Sequence, residues 1–415
     1  MLRMCKKGAL RSLLPILLVA TFAICLTAES AEISGRLSSS VYGFEQSEES
    51  HWRPYLGMDA TASLWRQSSR SLTLHTNLRW TSDFSTKEAN DPQTYVYDLY
   101  VELTGYPSRG RVYAGRQFVY SSIGSALIDG IRLKQKLSES FNLDLYGGAP
   151  VAHQSPEKVQ SLSDRASLGG RLGYQKSDVR FGLNWLWRRS GGSTSQHRAG
   201  MDGQWLARRA ELYARAVYDL SNMAISGALG RVVVRPGQWT VSAEFDWRRP
   251  SVESNSIFSV VAADAYQGVR TDLTYKLPKG LSAIGQVHWE LMPGEDSWRT
   301  MLGLRSGAIM LGWTHRDGYG GISNGLSGNA TLRISDRVET YVTACLSQYK
   351  IQPEPPDRMD AYSSSFGAIW KPGSDIRVRA EGQYLRNAVE ASDWRVFLQI
   401  TKGFSLGSHE AEAGK

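Results

Sequence analysis

The chain has 415 residues, 41% of them hydrophobic, a formal net charge of +8 and three cysteines; its mean hydropathy is −0.33. Past the first thirty residues, no run reaches the ~18 consecutive apolar residues of a helical membrane span, and Cys345 alone cannot form an intrachain disulfide. Lysines and arginines are scattered rather than clustered, which argues against the basic patch of a nucleic-acid-binding protein.

Residues 1–30 read as an export signal. Arg3, Lys6, Lys7 and Arg11 form a basic n-region, SLLPILLVATFAICLT (12–27) is apolar, and Ala28-Glu29-Ser30 supplies small residues for cleavage after Ser30. The apolar run is shorter than the ~20 residues of an anchor. Cleavage removes Cys5, Cys25, four bases and Glu29, leaving a charge of about +5.

From residue 33 onward the side chains alternate between apolar and polar, the period of a strand with one face toward each of two environments. The pattern predicts strands at 33–46, 52–66, 71–84, 94–105, 111–119, 128–137, 141–149, 165–175, 178–189, 196–207 and 210–219. It continues at 222–234, 238–248, 267–277, 280–291, 297–305, 307–316, 323–334, 337–349, 361–371, 375–387 and 393–404. That is about 22 strands, with 18 or 20 if hairpins merge.

The phase is clean in several places. Val179, Phe181, Leu183, Trp185 and Trp187 alternate with Arg180, Asn184 and Arg188. Trp239, Val241, Ala243, Phe245 and Trp247 alternate with Thr240, Ser242, Glu244, Asp246 and Arg248. Trp394, Val396, Leu398, Ile400 and Phe404 share one face of the last strand, with Lys402 the only polar residue among them. RVYAGRQFVY (111–120) resists: either register turns Arg116 or Gln117 toward the apolar side, which calls for a bulge.

Tight turns occur at YPSRG (106–110), KSD (176–178), RPGQ (235–238), LPKG (277–280), SD (335–336) and KPGSD (371–375). Between them come longer polar connections at 84–93, 119–127, 150–164, 249–265 and 350–360. Trp65, Trp80, Trp187, Trp247, Trp289, Trp313, Trp370 and Trp394 fall near strand ends, as in the aromatic girdles of a membrane barrel. Short turns at one end, long loops at the other and no helical pattern to cover the apolar face predict a fold class: an all-β, transmembrane, antiparallel up-and-down β-barrel without a plug. Its parts are a signal peptide at 1–30, the barrel at 31–404 and a short periplasmic tail at 405–415.

A charge facing hydrocarbon at mid-bilayer costs ~2–4 kcal/mol, so mid-strand charges must face water or one another. Arg79, Arg132, Lys134, Arg180, Glu244, Asp246, Arg270, Asp272, Arg377, Arg379 and Glu381 are therefore candidate pore-lining residues. Many of them would pair across strands and stiffen the wall. The surplus of bases favours anions, blunted in a wide pore by screening over ~8 Å. The long connections 150–164 and 249–265 are the expected constrictions. There is no HExxH or CxxCH, and neither an enzyme nor a cofactor is expected.

The layout resembles the porin-like outer-membrane β-barrels of Gram-negative bacteria. Trp394, Val396, Leu398, Ile400 and Phe404 resemble their C-terminal assembly signal, although a tail follows Phe404 where the aromatic often ends the chain. AGRQ (114–117) and IDGIRL (128–133) resemble a strand–loop–strand found in such families. The resemblance implies a channel for passive diffusion of small hydrophilic solutes, weakly anion-preferring. Its expected partners are outer-membrane lipid and the barrel-assembly machinery. The alternative is a sheath around a periplasmic or lumen-filling partner, similar to the barrel of porin–cytochrome conduits, where a multihaem cytochrome would bring the haem.

Overall fold

The computed structural model describes residues 32–407 except 47–48, 86–91, 153–158, 250–264, 293, 319–320, 351–357 and 389–391. The signal at 1–30 and most of the tail lie outside the described residues, as do large parts of both connections expected to constrict the pore.

Twenty-two strands follow in order: β1 (Glu32–Gln46), β2 (Glu49–Gln67), β3 (Arg70–Thr81), β4 (Gln93–Thr104), β5 (Gly110–Ser121), β6 (Gly124–Lys136), β7 (Phe141–Pro150), β8 (Arg165–Lys176), β9 (Val179–Ser190), β10 (Ser193–Leu206) and β11 (Ala210–Asp219). The second half comprises β12 (Ala224–Val234), β13 (Trp239–Arg248), β14 (Tyr266–Lys276), β15 (Leu281–Leu291), β16 (Ser297–Ser306), β17 (Ile309–Gly318), β18 (Ile322–Arg333), β19 (Val338–Lys350), β20 (Met359–Trp370), β21 (Ile376–Arg386) and β22 (Asp393–Leu406). Each strand pairs antiparallel with the next, and β22 closes on β1 from Ile33↔Leu406 to Phe44↔Arg395. Closure satisfies the two edges that an open sheet would leave exposed.

The connections sort as the sequence pattern expected. Every turn after an even-numbered strand is short and lies at the end that holds the chain termini, and the longer connections lie at the other end. Lys279 and Gly280, at φ +59° and +73°, show why the LPKG turn needs its glycine. One difference stands out. The expected 119–127 connection is a strand hairpin whose tip is only residues 122–123.

The outer face is greasy. Trp394, Val396, Leu398 and Ile400 are all about half exposed, while Phe404 packs with Ile33, Ala62, Leu64 and Leu74 beside the closing seam. A Cβ on Gly35 would lie 2.8 Å from the Phe404 ring, so the glycine makes room for that aromatic. Trp65, Trp205, Trp239 and Trp370 point outward near the turn end, and Trp52, Trp289, Trp298 and Trp394 near the loop end. These positions match girdles of amphipathic rings at two interfaces.

The inner face is polar and, at most places, thin. Strands spaced ~4.8 Å apart and tilted ~40° make a 22-strand barrel roughly 40 Å across from backbone to backbone. That width leaves room for an aqueous interior, and among the described residues only one part of the chain enters it.

Candidate functional site

That part is the far half of the β5–β6 hairpin. Strand β5 pairs with β4 only from Thr104↔Arg111 to Leu99↔Arg116. Beyond Arg116 its strand pairing continues with β6 alone, down to Ser121↔Gly124. The bend falls at glycines. Gly115 has φ +126°, and a Cβ there would lie 2.4 Å from the Leu99 carbonyl oxygen. A Cβ on the facing Gly130 would meet the Gly147 carbonyl oxygen at 2.1 Å. Backbones approach this closely only without side chains.

The hairpin crosses onto the inner wall of later strands. Val119, Ile123, Ala126 and Ile128 form a buried cluster with Tyr146 of β7, Leu186 of β9 and Val217 of β11, with Ile128 and Leu186 at 0% exposure. Gly200 of β10 is the seat for Ile123, since a Cβ there would lie 2.3 Å from its Cγ2. The tip is tied by its backbone: Arg188 donates to the Ser125 carbonyl, and Arg215 Nη1 donates to the Ser122 carbonyl at 3.3 Å. The opposite face of the hairpin leaves Phe118 and Tyr120 exposed, at 54% and 70%.

Ion pairs surround this patch. Arg116 holds Asp129 through two bonds of 2.7 Å at the bend. Arg132 holds Asp144 at 2.8 and 2.5 Å, and Arg171 holds Asp202 at 2.5 and 2.7 Å with Asn184 joining at 2.8 Å. Paired forks of this kind satisfy charges that the hairpin removes from water.

The hairpin accounts for the misfit in RVYAGRQFVY. Arg116 and Gln117 are 7% and 3% exposed, and neither meets lipid, because the strand leaves the wall where the pattern breaks. The break, together with the glycines in AGRQ and IDGIRL, was the available signal; a bulge was the wrong remedy for it.

The eleven charged positions singled out in the sequence all lie on the inward face, but they do not converge on one site. Arg132 pairs with Asp144, Asp246 with Arg248 at 2.7 Å, Arg270 with Asp272 at 3.1 Å and Arg379 with Glu381 at 2.5 Å. Asp272 also accepts from Ser242 at 2.9 Å and from Gln286. Tyr341 joins Arg379 and Glu381. Glu244 sits in register between Arg231 and Arg270. Lys134 lies 5.5 Å from the Tyr113 ring centre, and Arg79 lies 5.1–5.8 Å from the rings of Tyr55, Tyr95 and Tyr97. Arg180 and Arg377 stand at the turn end. With Lys276 and Arg305 they form none of the ion pairs among the described residues, so four bases stand at the turn-side mouth with no close acid partner there.

No family model and no curated protein matches this sequence. Among solved structures, the chain is similar to the translocation pore of the P pilus usher PapC, at a TM-score of 0.51 and 8% identity, over 90% of this chain and 100% of that one. It also aligns with OccK2 (OpdF) of Pseudomonas aeruginosa, at 0.44 and 11% over 91% and 98% of the two chains. A BenF-like porin of Pseudomonas fluorescens Pf-5 aligns at 0.44 and 8%, over 91% and 99%. Identities this low speak to fold alone, and the last two likenesses are too distant to bear on what this chain handles. The chain has the fold of a closed antiparallel β-barrel of 22 strands, similar to that of the usher pore.

Proposed function

We propose that this barrel sits in a bacterial outer membrane and is a channel for the passive diffusion of small hydrophilic solutes, with a weak preference for anions. The observation that carries the reading is the β5–β6 hairpin seated on the inner wall of β7–β11, which narrows a wide aqueous barrel from one side. A wall built around a lumen-filling partner would gain nothing from such a constriction, and this favours a channel over a sheath. The base-rich mouth at Arg180, Lys276, Arg305 and Arg377 supports the anion preference, since basic rings lower the entry barrier for anions. Screening over ~8 Å in a broad mouth keeps that preference small at physiological salt. The face presented by Trp394, Val396, Leu398, Ile400 and Phe404 would serve the assembly machinery before it meets lipid.

Planar-bilayer recording of the purified barrel tests this. The expected outcome is steady conductance proportional to salt, with a reversal potential shifted toward chloride in a tenfold KCl gradient. Conversion of Arg180 and Arg377 to glutamate should move that potential toward potassium. A barrel that is electrically silent alone, yet recovered from membranes in a stable complex, would overturn the channel and leave the sheath.

A further inference from the structure

The inward turn of β5 has a consequence for the wall it leaves. Above Leu99, strand β4 continues for residues 93–98, bonded to β3 on one side. On its other side no strand among the described residues takes over from β5. On the far side, β6 stays paired with β7 up to Ile128↔Pro150, the end of β7, with one further bond from the Val151 N–H to the Leu127 carbonyl. The wall portion of β5 is residues 110–116. Seven residues at ~3.4 Å each and a tilt of ~40° rise roughly 18 Å, against an apolar band of ~25 Å. Outward apolar side chains tell the same story: Val112 and Ala114 on β5, and Ile131 and Leu133 on β6, against Val179, Phe181, Leu183, Trp185 and Trp187 on β9.

We infer that the loop-side half of the wall between β4 and β7 is a lateral slot joining the lumen to the outer leaflet, and that it takes a single-chain amphiphile with an anionic head. An unpaired sheet edge cannot stand in hydrocarbon but is tolerated along a wet cavity, so the slot is watered from the lumen. The two chemistries of an amphiphile lie side by side there. Phe118 and Tyr120 are large, apolar and exposed on the free face of the hairpin. The Phe118 N–H donates to the Asp98 carboxylate at 3.4 Å, which places the β5 edge of the hairpin against the inner side of β4. One residue along, Tyr97 and then Tyr95 project inward with Arg79 among their rings, and Arg79 forms none of the ion pairs among the described residues. The tail lies on Phe118 and Tyr120, and the head meets Arg79. Asp98 is occupied by the Phe118 amide and sits on the hairpin side.

The slot stands apart from the channel reading and can fail separately. Phe118→Cys, made with Cys345→Ser and labelled with bimane, is placed in bilayers containing tail-brominated phospholipid. Leu398→Cys reports a purely lipid-facing site, and Ser365→Cys a purely aqueous one. The slot requires that bimane at 118 be quenched both by the brominated tails and by iodide. Quenching by iodide alone, as at 365, would close the wall and sink the inference. In nanodiscs, pyrene-decanoate should bind the wild-type barrel at least tenfold more tightly than the Arg79→Gln variant. Equal binding to both would remove the anionic head from the assignment.

Discussion

Two sectors of the inner wall face the same lumen and are built differently. From β7 to β11 the inward positions are Asp144, Tyr146, Arg171, Asn184, Leu186, Asp202, Arg215 and Val217, and the hairpin covers many of them. From β17 to β20 the middle of the wall is Gly312, Thr314, Gly325, Ser327, Thr343, Cys345, Ser347, Ser363, Ser365 and Gly367, small and uncharged. The first sector is a miniature core, with apolar packing and with Asp144 and Asp202 each matched to an arginine. The second is a surface that happens to be concave. Charges need fixed partners most where something shuts out water. The difference therefore reports where the chain folds back on itself, and it separates a wall that bears a structure from a wall that lets solutes pass.

The contrast can be broken most severely at Ile128. Ile128→Asp puts a carboxylate into a site with 0% exposure and no cation designed for it, a change of ~3 kcal/mol or more. The hairpin should release from the wall. Single-channel conductance should rise severalfold, and limited proteolysis should cut within 117–127. Unchanged conductance would mean that the hairpin does not narrow the pore. A smaller effect is expected from Asp202→Asn, which removes half of a bidentate pair whose arginine is about a third exposed. The loss should be ~1–2 kcal/mol, read as a lower unfolding temperature in detergent with conductance nearly intact. The smallest belongs to the other sector. Ser365→Val on the open wall should shift stability by no more than ~0.5 kcal/mol, and a larger loss there would erase the distinction.

Much of the fold was legible along the chain. Alternation placed all 22 strands to within a few residues, since each strand carries its own record of which solvent lies on each side. The turns at RPGQ, LPKG and KPGSD were legible for a similar reason: Pro and Gly act on the backbone locally. The segment from 117 to 127 was not. Its partners are far away in sequence, with Ser125 bonded to Arg188 across 63 residues and Ser122 to Arg215 across 93. Nothing within RQFVYSSIGSALI announces Leu186 or Gly200. What could be read was only that the segment disagreed with a wall position, and the disagreement was real.

The charged positions divide in the same way. Sequence phase alone put Arg132, Arg180 and Arg377 on the water side, since a cation in hydrocarbon is too costly to place anywhere else. Tertiary structure then decided that Arg132 and Arg171 are committed to Asp144 and Asp202, while Arg180 and Arg377 remain open at the mouth. Side of the wall is a property of each residue's own strand. Pairing, closure of β22 on β1 and entry of the hairpin into the lumen are properties of neighbours that only the closed barrel brings together.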